Sequence, residues 1–168
     1  AYSGGVDSAF LAVVANNVLG ERALAVTAYS PSLTEVELNN AVELANKMKL
    51  NHRVIETAEV ERPDYKQNTT ARCYFCKDEL YTQLGDIARA QGYISIAIGT
   101  NLDDMSDFRP GMQAAKKYGV RSPLVEAELT KVEIRSLSKD MDLPTWDKPA
   151  QACLSSRVPY GDPVSVGA

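Results

Sequence analysis

The sequence is poor in histidine, the side chain that most often moves protons in enzymes. Its 168 residues contain one, His52. A Ser-His-Asp or Cys-His arrangement would need that single imidazole, and the residues around it have the pattern of a partly exposed strand. The sequence therefore argues against histidine-dependent nucleophilic catalysis.

Long apolar runs, an excess of basic residues and a disulfide framework are also missing. No stretch approaches the roughly 18 consecutive apolar residues of a membrane span, and the first residues lack a signal-peptide layout. The 18 basic and 22 acidic residues give a formal net charge of −4, whereas large nucleic-acid interfaces are usually basic. Three cysteines, an odd number, fit a reducing compartment. We therefore expect a soluble, cytoplasmic protein that acts on a small molecule rather than on a membrane or a nucleic acid.

The opening segment, residues 3–8, has the composition of a phosphate-binding loop and is called the phosphate loop below. It reads Ser-Gly-Gly-Val-Asp-Ser, after a predicted strand end and before a predicted helix. The glycines let backbone amides approach phosphate oxygens, the serines add hydroxyl donors, and the helix start favours negative charge. Asp7 is suited to holding the Mg²⁺ that accompanies the phosphates. The predicted phosphate-binding residues are Ser3, Gly4, Gly5, Val6, Asp7 and Ser8.

This loop differs from the two commoner nucleotide-binding signatures. The sequence contains neither Gly-x-x-x-x-Gly-Lys-Ser/Thr nor Gly-x-Gly-x-x-Gly. Two adjacent glycines between hydroxyl residues instead favour an enzyme that splits ATP into AMP and pyrophosphate. The alternative is a Gly-Gly turn that only starts a helix.

Apolar strands alternate with amphipathic helices along the chain. Strands are predicted to end at 1–2 and to cover 23–29, 52–57 and 94–99, and helices to cover 6–18, 35–48, 74–91, 110–118 and 131–141. Capping boxes begin two of the helices, Thr34 with Glu37 and Thr130 with Glu133. The polar residues 58–72 are predicted to form a loop or mobile flap. Right-handed crossovers would assemble this α/β order into a doubly wound parallel sheet with helices on both faces.

One domain is predicted over residues 1–161, and residues 162–168 are expected to begin a linker or a further segment of a longer protein. Ligands of doubly wound sheets bind at the carboxyl ends of the strands. Backbone groups at Tyr29 and Gly99 lie at two such ends and are candidates for holding adenine and ribose. For Gly99 the alternative is a simple tight turn.

The three cysteines give a second signal. Cys73 and Cys76 form a C-x-x-C at the start of a predicted helix, where the dipole favours thiolates, and Cys153 lies in a distant loop. Three thiolates that meet could hold a 4Fe–4S cluster with one open iron, whereas a zinc site would need a fourth ligand that His52 is badly placed to supply. The alternatives are a redox pair or small buried residues.

Cys153 is also the best candidate for a nucleophile. Its neighbours Lys148 and Arg157 could stabilise a thiolate, and Ser155 and Ser156 could hold phosphate oxygens. A solvated Arg157 without a role is the alternative.

The phosphate loop resembles that of the N-type ATP pyrophosphatases, or PP-loop enzymes, which include NAD synthetase, GMP synthetase and tRNA-thiolating enzymes. Four further runs resemble one family closely, the ATP-dependent sacrificial sulfur transferases of nickel-pincer nucleotide synthesis, which mature lactate racemase. These runs are Gly-Thr-Asn-Leu-Asp-Asp at 99–104, Asp-Phe-Arg-Pro-Gly at 107–111, Arg-Ser-Pro-Leu at 121–124 and Trp-Asp-Lys-Pro-Ala-x-Ala-Cys-Leu-Ser-Ser-Arg-x-Pro-Tyr-Gly at 146–161.

The resemblance implies that ATP adenylylates a carboxylate of pyridinium-3,5-biscarboxylic acid mononucleotide and that sulfur then displaces AMP. It implies Cys153 as the sulfur donor, left as dehydroalanine, with Arg157 and Arg109 stabilising developing charge. With three cysteines, however, this sequence resembles those relatives in which three thiolates hold a 4Fe–4S cluster. In that case Cys73, Cys76 and Cys153 would be the cluster ligands. A homo-oligomer is also implied. The alternatives are another PP-loop enzyme, such as a tRNA thiolase or an amide-forming synthetase, and a non-catalytic nucleotide-binding module.

Overall fold

A parallel sheet lies at the centre of the structure, a computed structural model that describes residues 1–106 and 109–166. Strand β1 (Ala25–Tyr29) pairs in parallel with β2 (His52–Glu56) along their whole length. Backbone hydrogen bonds extend the sheet beyond β1, because the Tyr2 amide donates to Val26 at 2.8 Å and the Ala1 nitrogen donates to Ala97 at 2.6 Å. The chain start therefore lies between β1 and the segment around Ala97.

Seven helices are found in the described part of the chain. They are α1 (Val6–Leu19), α2 (Glu35–Lys47), α3 (Pro63–Lys66), α4 (Arg72–Gln91), α5 (Pro110–Lys117), α6 (Pro123–Glu126) and α7 (Lys131–Asp140). Single 3-10 turns lie at Gly20–Arg22, Glu59–Glu61, Asp103–Ser106 and Leu154–Arg157. Both predicted capping boxes are present, at Thr34 and Thr130. None of these helices combines the length and apolarity that crossing a membrane requires.

Helices cover both faces of the sheet, as the sequence predicted. Val26 of β1 packs with buried residues of α4 and α5, whereas its neighbour Ala25 packs with Tyr2 and the buried residues of α1 and α2. Successive strand residues point to opposite faces, so the two helix groups lie on opposite sides. A further cluster joins α1 to α6 and α7. The fold is α/β and doubly wound.

The predicted strand at 94–99 is wrong as a continuous strand. Only Ala97 forms a bridge, in parallel with Arg121, and Ile94 is fully exposed. Backbone hydrogen bonds join this segment to Arg121 on one side and to Ala1 on the other.

The prediction of a loop or mobile flap at 58–72 is also wrong. A 3-10 turn and α3 fold this stretch against the domain, and its buried residues are Glu59, Val60, Tyr65, Asn68 and Arg72. Val60 and Tyr65 form a small core with Val164. Residues 59–72, called the clamp segment below, become important for the candidate site.

Candidate active site

The phosphate loop turns sharply between the end of a sheet segment and the first turn of α1. Gly4 has φ +74°, and a Cβ there would lie 3.0 Å from the Ala41 Cβ, so glycine is required. The hydroxyl of Ser8 reaches back across the loop, accepting from the Ser3 amide at 3.1 Å and lying 3.0 Å from the Ser3 hydroxyl. Gly5 caps α1 without a side chain, which leaves the first-turn amides available to an anion.

Gly99 lies against the same helix start. A Cβ on Gly99 would come within 2.8 Å of the Ser8 amide nitrogen and 3.0 Å of the Asp7 carbonyl carbon. Close approach of two backbones therefore explains this glycine, rather than a simple tight turn. The other predicted edge residue, Tyr29, uses its carbonyl to accept from the Thr57 amide at 2.9 Å. Contact of either residue with a nucleotide stays a prediction.

Two lysines reach the phosphate loop from outside it. Lys131, the first residue of α7, forms an ion pair with Oδ2 of Asp7, while Asp7 Oδ1 is buried without a partner among the described residues. Lys148 Nζ donates to the Gly4 carbonyl at 3.0 Å. Arg135 fixes the approach of Lys148 by donating to the carbonyls of Trp146, at 2.7 Å, and of Lys148 itself, at 2.9 Å.

The sequence did not predict where Lys131 and Lys148 lie. Lys148 was expected beside the Cys153 thiol, whereas the structure shows its ammonium group on the phosphate loop. Lys131 escaped notice because it follows the capping residue Thr130 and looks like an ordinary helix start. The unpartnered oxygen of Asp7 fits the predicted Mg²⁺ ligand, since a divalent cation seeks carboxylate and phosphate oxygens.

Residues 153–162, called the Cys153 loop below, begin with an exposed thiol. Cys153 precedes the 3-10 turn Leu154–Arg157, and the Ser156 hydroxyl donates to the Cys153 carbonyl. The Leu154 amide donates to the Ser32 carbonyl at 2.9 Å, which ties the loop to the residues that follow β1. The cysteine side chain is therefore presented from a fixed backbone.

Buried side chains of the clamp segment form hydrogen bonds to the Cys153 loop. The Tyr65 hydroxyl lies 2.8 Å from the Ser155 hydroxyl, and Arg72 donates to the Ser155 carbonyl at 2.6 Å. Asn68 donates to three carbonyls of the loop, those of Val158, Pro159 and Asp162. Sequence reasoning missed all three side chains; a run of polar residues that the fold buries gives no local signal.

The other two cysteines lie on the first turns of α4. Cys73 is exposed and Cys76 is half-buried, packed against the core of Val60 and Tyr65. Burial raises the pKa of the Cys76 thiol to about 11, with Glu59 and the other two thiols adding to the shift and Lys77 opposing it. Burial thus opposes the thiolate that the helix start was expected to favour at Cys76.

The three thiols influence one another electrostatically, since Cys73 and Cys153 both add to the raised pKa of Cys76. Across residues 1–106 and 109–166, no group of three or more Cys, His, Asp or Glu side chains has the arrangement of a metal site. The side chains as they lie do not form the ligand set of the expected 4Fe–4S cluster.

The two predicted arginines have different surroundings. Arg109 is exposed and pairs with Asp104 at 2.8 Å. Arg157 is exposed at the end of the turn that follows Cys153, without an ion-pair partner in the described part of the chain. Asp107 and Phe108, which belong to one of the motifs, lie outside the described residues.

A family model described as NAD synthase matches residues 1–102. The chain is 35% identical over 162 residues to the pyridinium-3,5-bisthiocarboxylic acid mononucleotide synthase of Lactiplantibacillus plantarum, covering 96% of this chain and 59% of that protein. It is 51% identical over 166 residues to an uncharacterized protein of Synechocystis sp., covering 99% of this chain and 62% of that protein. The chain thus spans about three fifths of these relatives' length.

Two solved structures share the fold. The NMN synthetase from Francisella tularensis superposes with a TM-score of 0.66 at 22% identity, over 89% of this chain and 63% of that one. The NH3-dependent NAD synthetase from Campylobacter jejuni gives 0.52 at 19% identity, over 83% of this chain and 72% of that one. At these identities the likeness concerns the fold alone.

Proposed function

Since the chain belongs to the NAD synthase family of PP-loop proteins, we propose that it uses ATP to activate a carboxylate and then replaces one of its oxygens with sulfur. The proposed substrate is pyridinium-3,5-biscarboxylic acid mononucleotide, and the product is its thiocarboxylate, on the route to a nickel-pincer nucleotide. The relative that is 35% identical and carries the matching name supports this choice.

One observation carries the proposal: the segment that leads into the Cys153 loop contacts the phosphate loop. The ammonium group of Lys148, five residues before Cys153, donates to the carbonyl of Gly4 at 3.0 Å. A sulfur donor can attack an acyl adenylate only if the thiol and the nucleotide lie close together, because positioning supplies much of the rate. An amide-forming synthetase uses a nitrogen nucleophile and therefore has no need of a cysteine here.

The first step is adenylylation. A substrate carboxylate oxygen attacks the α-phosphorus of ATP, and the bond to the β-phosphate oxygen breaks to release pyrophosphate. The free first-turn amides of α1, with Lys131 and Lys148, would hold the departing pyrophosphate. Asp7 would hold Mg²⁺, which neutralises phosphate charge when bound.

The second step is sulfur transfer from Cys153. The thiolate attacks the acyl carbon, the mixed anhydride bond breaks, and AMP leaves with its electron pair. Loss of the Cys153 Cα proton then drives cleavage of the Cβ–S bond, so that the thiocarboxylate departs and dehydroalanine remains. Arg157, exposed and without an ion pair in the described residues, is the cation we assign to the developing oxyanion.

Intact mass of the full-length protein tests this proposal, measured before and after anaerobic turnover with ATP, Mg²⁺ and the dicarboxylate nucleotide. Thiolated product together with loss of the elements of H₂S at Cys153 is the expected result. Thiolated product with unchanged protein mass would overturn the sacrificial step and favour a cluster held by the three cysteines. A Cys73→Ser and Cys76→Ser double variant is the matched control, and it should lose activity only in the cluster case.

A further inference from the structure

Glu59 is a buried carboxyl group for which the proposed chemistry gives no role. It lies in the first turn of the clamp segment and is 3% exposed. One oxygen, Oε1, accepts from the hydroxyls of Ser30 and of Ser32, the latter at 2.9 Å. The other, Oε2, is buried and has no hydrogen-bond partner among the described residues.

A short chain of contacts leads from this carboxyl to the thiol. Ser30 and Ser32 lie in the turn that follows β1, and their hydroxyl oxygens are 2.8 Å apart. The carbonyl of Ser32 accepts the amide of Leu154, the residue that follows Cys153. Glu59 therefore holds the turn on which the start of the Cys153 loop rests.

Stability alone does not account for this arrangement. Burial of a carboxyl group is costly, and it is offset here by two neutral hydroxyl donors rather than by a cation. The unpartnered Oε2 adds to the cost. Side chains that break the rules of a stable core are most often found where function requires a fixed geometry.

We propose that Glu59 is a positioning residue for Cys153, which fixes the Ser30–Ser32 turn and so sets where the thiol lies relative to the strand end at Tyr29. Tyr29, at the carboxyl end of β1, is a predicted nucleotide-binding residue. The Glu59 carboxyl therefore connects the predicted nucleotide-binding end of β1 to the loop that carries Cys153. This inference rests on the proposed function and adds a residue to it.

Three variants of the full-length protein test the proposal. Glu59→Ala removes the acceptor, Glu59→Gln keeps one carbonyl oxygen for the two serines, and Glu61→Ala removes an exposed carboxylate from the same turn as a control. We expect E59A to slow formation of the thiolated nucleotide at least about tenfold, because a small displacement of the nucleophile greatly lowers the rate of attack. ATP–pyrophosphate exchange with the carboxylate substrate should be retained. E59Q should restore most of the transfer rate, and E61A should match the parent.

Hydrogen exchange at the Leu154 amide provides a readout that does not depend on the reaction. Its protection should fall in E59A and be regained in E59Q, with α4 and α7 unchanged. Unchanged Leu154 protection in E59A, or an equal loss of both half-reactions, would overturn the proposal. If E59A does not fold, Ser32→Ala replaces it with the same expected and contrary results.

Failure of this inference and failure of the proposed function give different patterns. A parent protein that forms no thiolated nucleotide contradicts the proposed function, yet Leu154 protection still decides whether Glu59 holds the loop. A parent that transfers sulfur while E59A transfers it equally fast contradicts the role of Glu59 alone.

Discussion

The phosphate loop and the Cys153 loop are built in opposite ways. The phosphate loop takes its shape from six consecutive residues, with a positive φ at Gly4 and a bond between two of its own serines. The Cys153 loop is shaped by Tyr65, Asn68 and Arg72, which lie 83 to 94 residues away from their partners in the chain. A local motif therefore carries one half of the candidate site, and long-range side-chain contacts carry the other.

The sharpest way to break the phosphate loop alone is a methyl group at Gly99. We expect Gly99→Ala to abolish measurable ATP binding and to reduce the free energy of unfolding by about 3 kcal/mol, because the new Cβ would press on the backbone of Ser8 and overpacking is costly. Urea unfolding and calorimetric titration with ATP measure the two effects.

The matched control is Gly85→Ala, at a helical glycine whose Cβ would meet only the flexible end of Arg89 at 3.4 Å. This variant should be neutral or stabilise α4 by about 0.5–1 kcal/mol. If G99A binds ATP as the parent does, the close approach of Gly99 has no role in the loop.

For the Cys153 loop, the corresponding substitution is Asn68→Ala. It removes donors to three loop carbonyls at a residue with φ +50°, a conformation that asparagine tolerates better than alanine. We expect a loss of about 2 kcal/mol in the free energy of unfolding, with sulfur transfer reduced and ATP affinity retained. Asn46→Ala, at an exposed position late in α2, controls for the loss of an amide. Equal weakening of ATP binding would show that the two halves are not independent.

Lys148 tests the contact between the phosphate loop and the segment that leads into the Cys153 loop. Lys148→Met removes the donor to the Gly4 carbonyl and a cation next to the pyrophosphate position. We expect ATP affinity to fall about tenfold, since a charge-assisted hydrogen bond contributes on that scale. Lys116→Met, at an exposed site on α5, should leave the affinity unchanged. Calorimetric titration distinguishes the two, and equal affinities would contradict a role for Lys148 in nucleotide binding.

The same contrast explains what could be predicted from the sequence. The α/β class, most helix bounds and both capping boxes depend on residues close together in the chain, and these predictions are confirmed. The packing of residues 58–72, the position of Lys148 and the raised pKa of Cys76 depend on which distant residues meet. Asn68 illustrates the limit, because a polar residue in a polar run looks solvated until the fold buries it completely.

A fall in pH is expected to give the smallest effect that distinguishes the phosphate loop from the Cys153 loop. His52, the single histidine, lies 2.8 Å from the hydroxyl of Thr27, which itself donates to the carbonyl of Tyr2 just before the phosphate loop. Burial lowers the pKa of His52 from its ordinary value of 6.5. The unfolded chain therefore takes up the proton more readily than the folded one. The free energy of unfolding is highest above the ordinary pKa of 6.5 and decreases as the pH falls through 6.5 towards the lower folded pKa.

Unfolding in urea between pH 7 and pH 5, compared for the parent and His52→Gln, measures this effect, because the difference removes contributions from other titrating groups. We expect the parent to lose more stability than H52Q on acidification, by less than the losses expected for G99A and N68A. Since the imidazole contacts Tyr2 and is linked to its carbonyl through Thr27, hydrogen exchange at the Tyr2 amide should rise with acid in the parent, while the Leu154 amide keeps its protection. Parallel pH profiles for the two proteins would show that the lowered pKa of His52 does not affect stability.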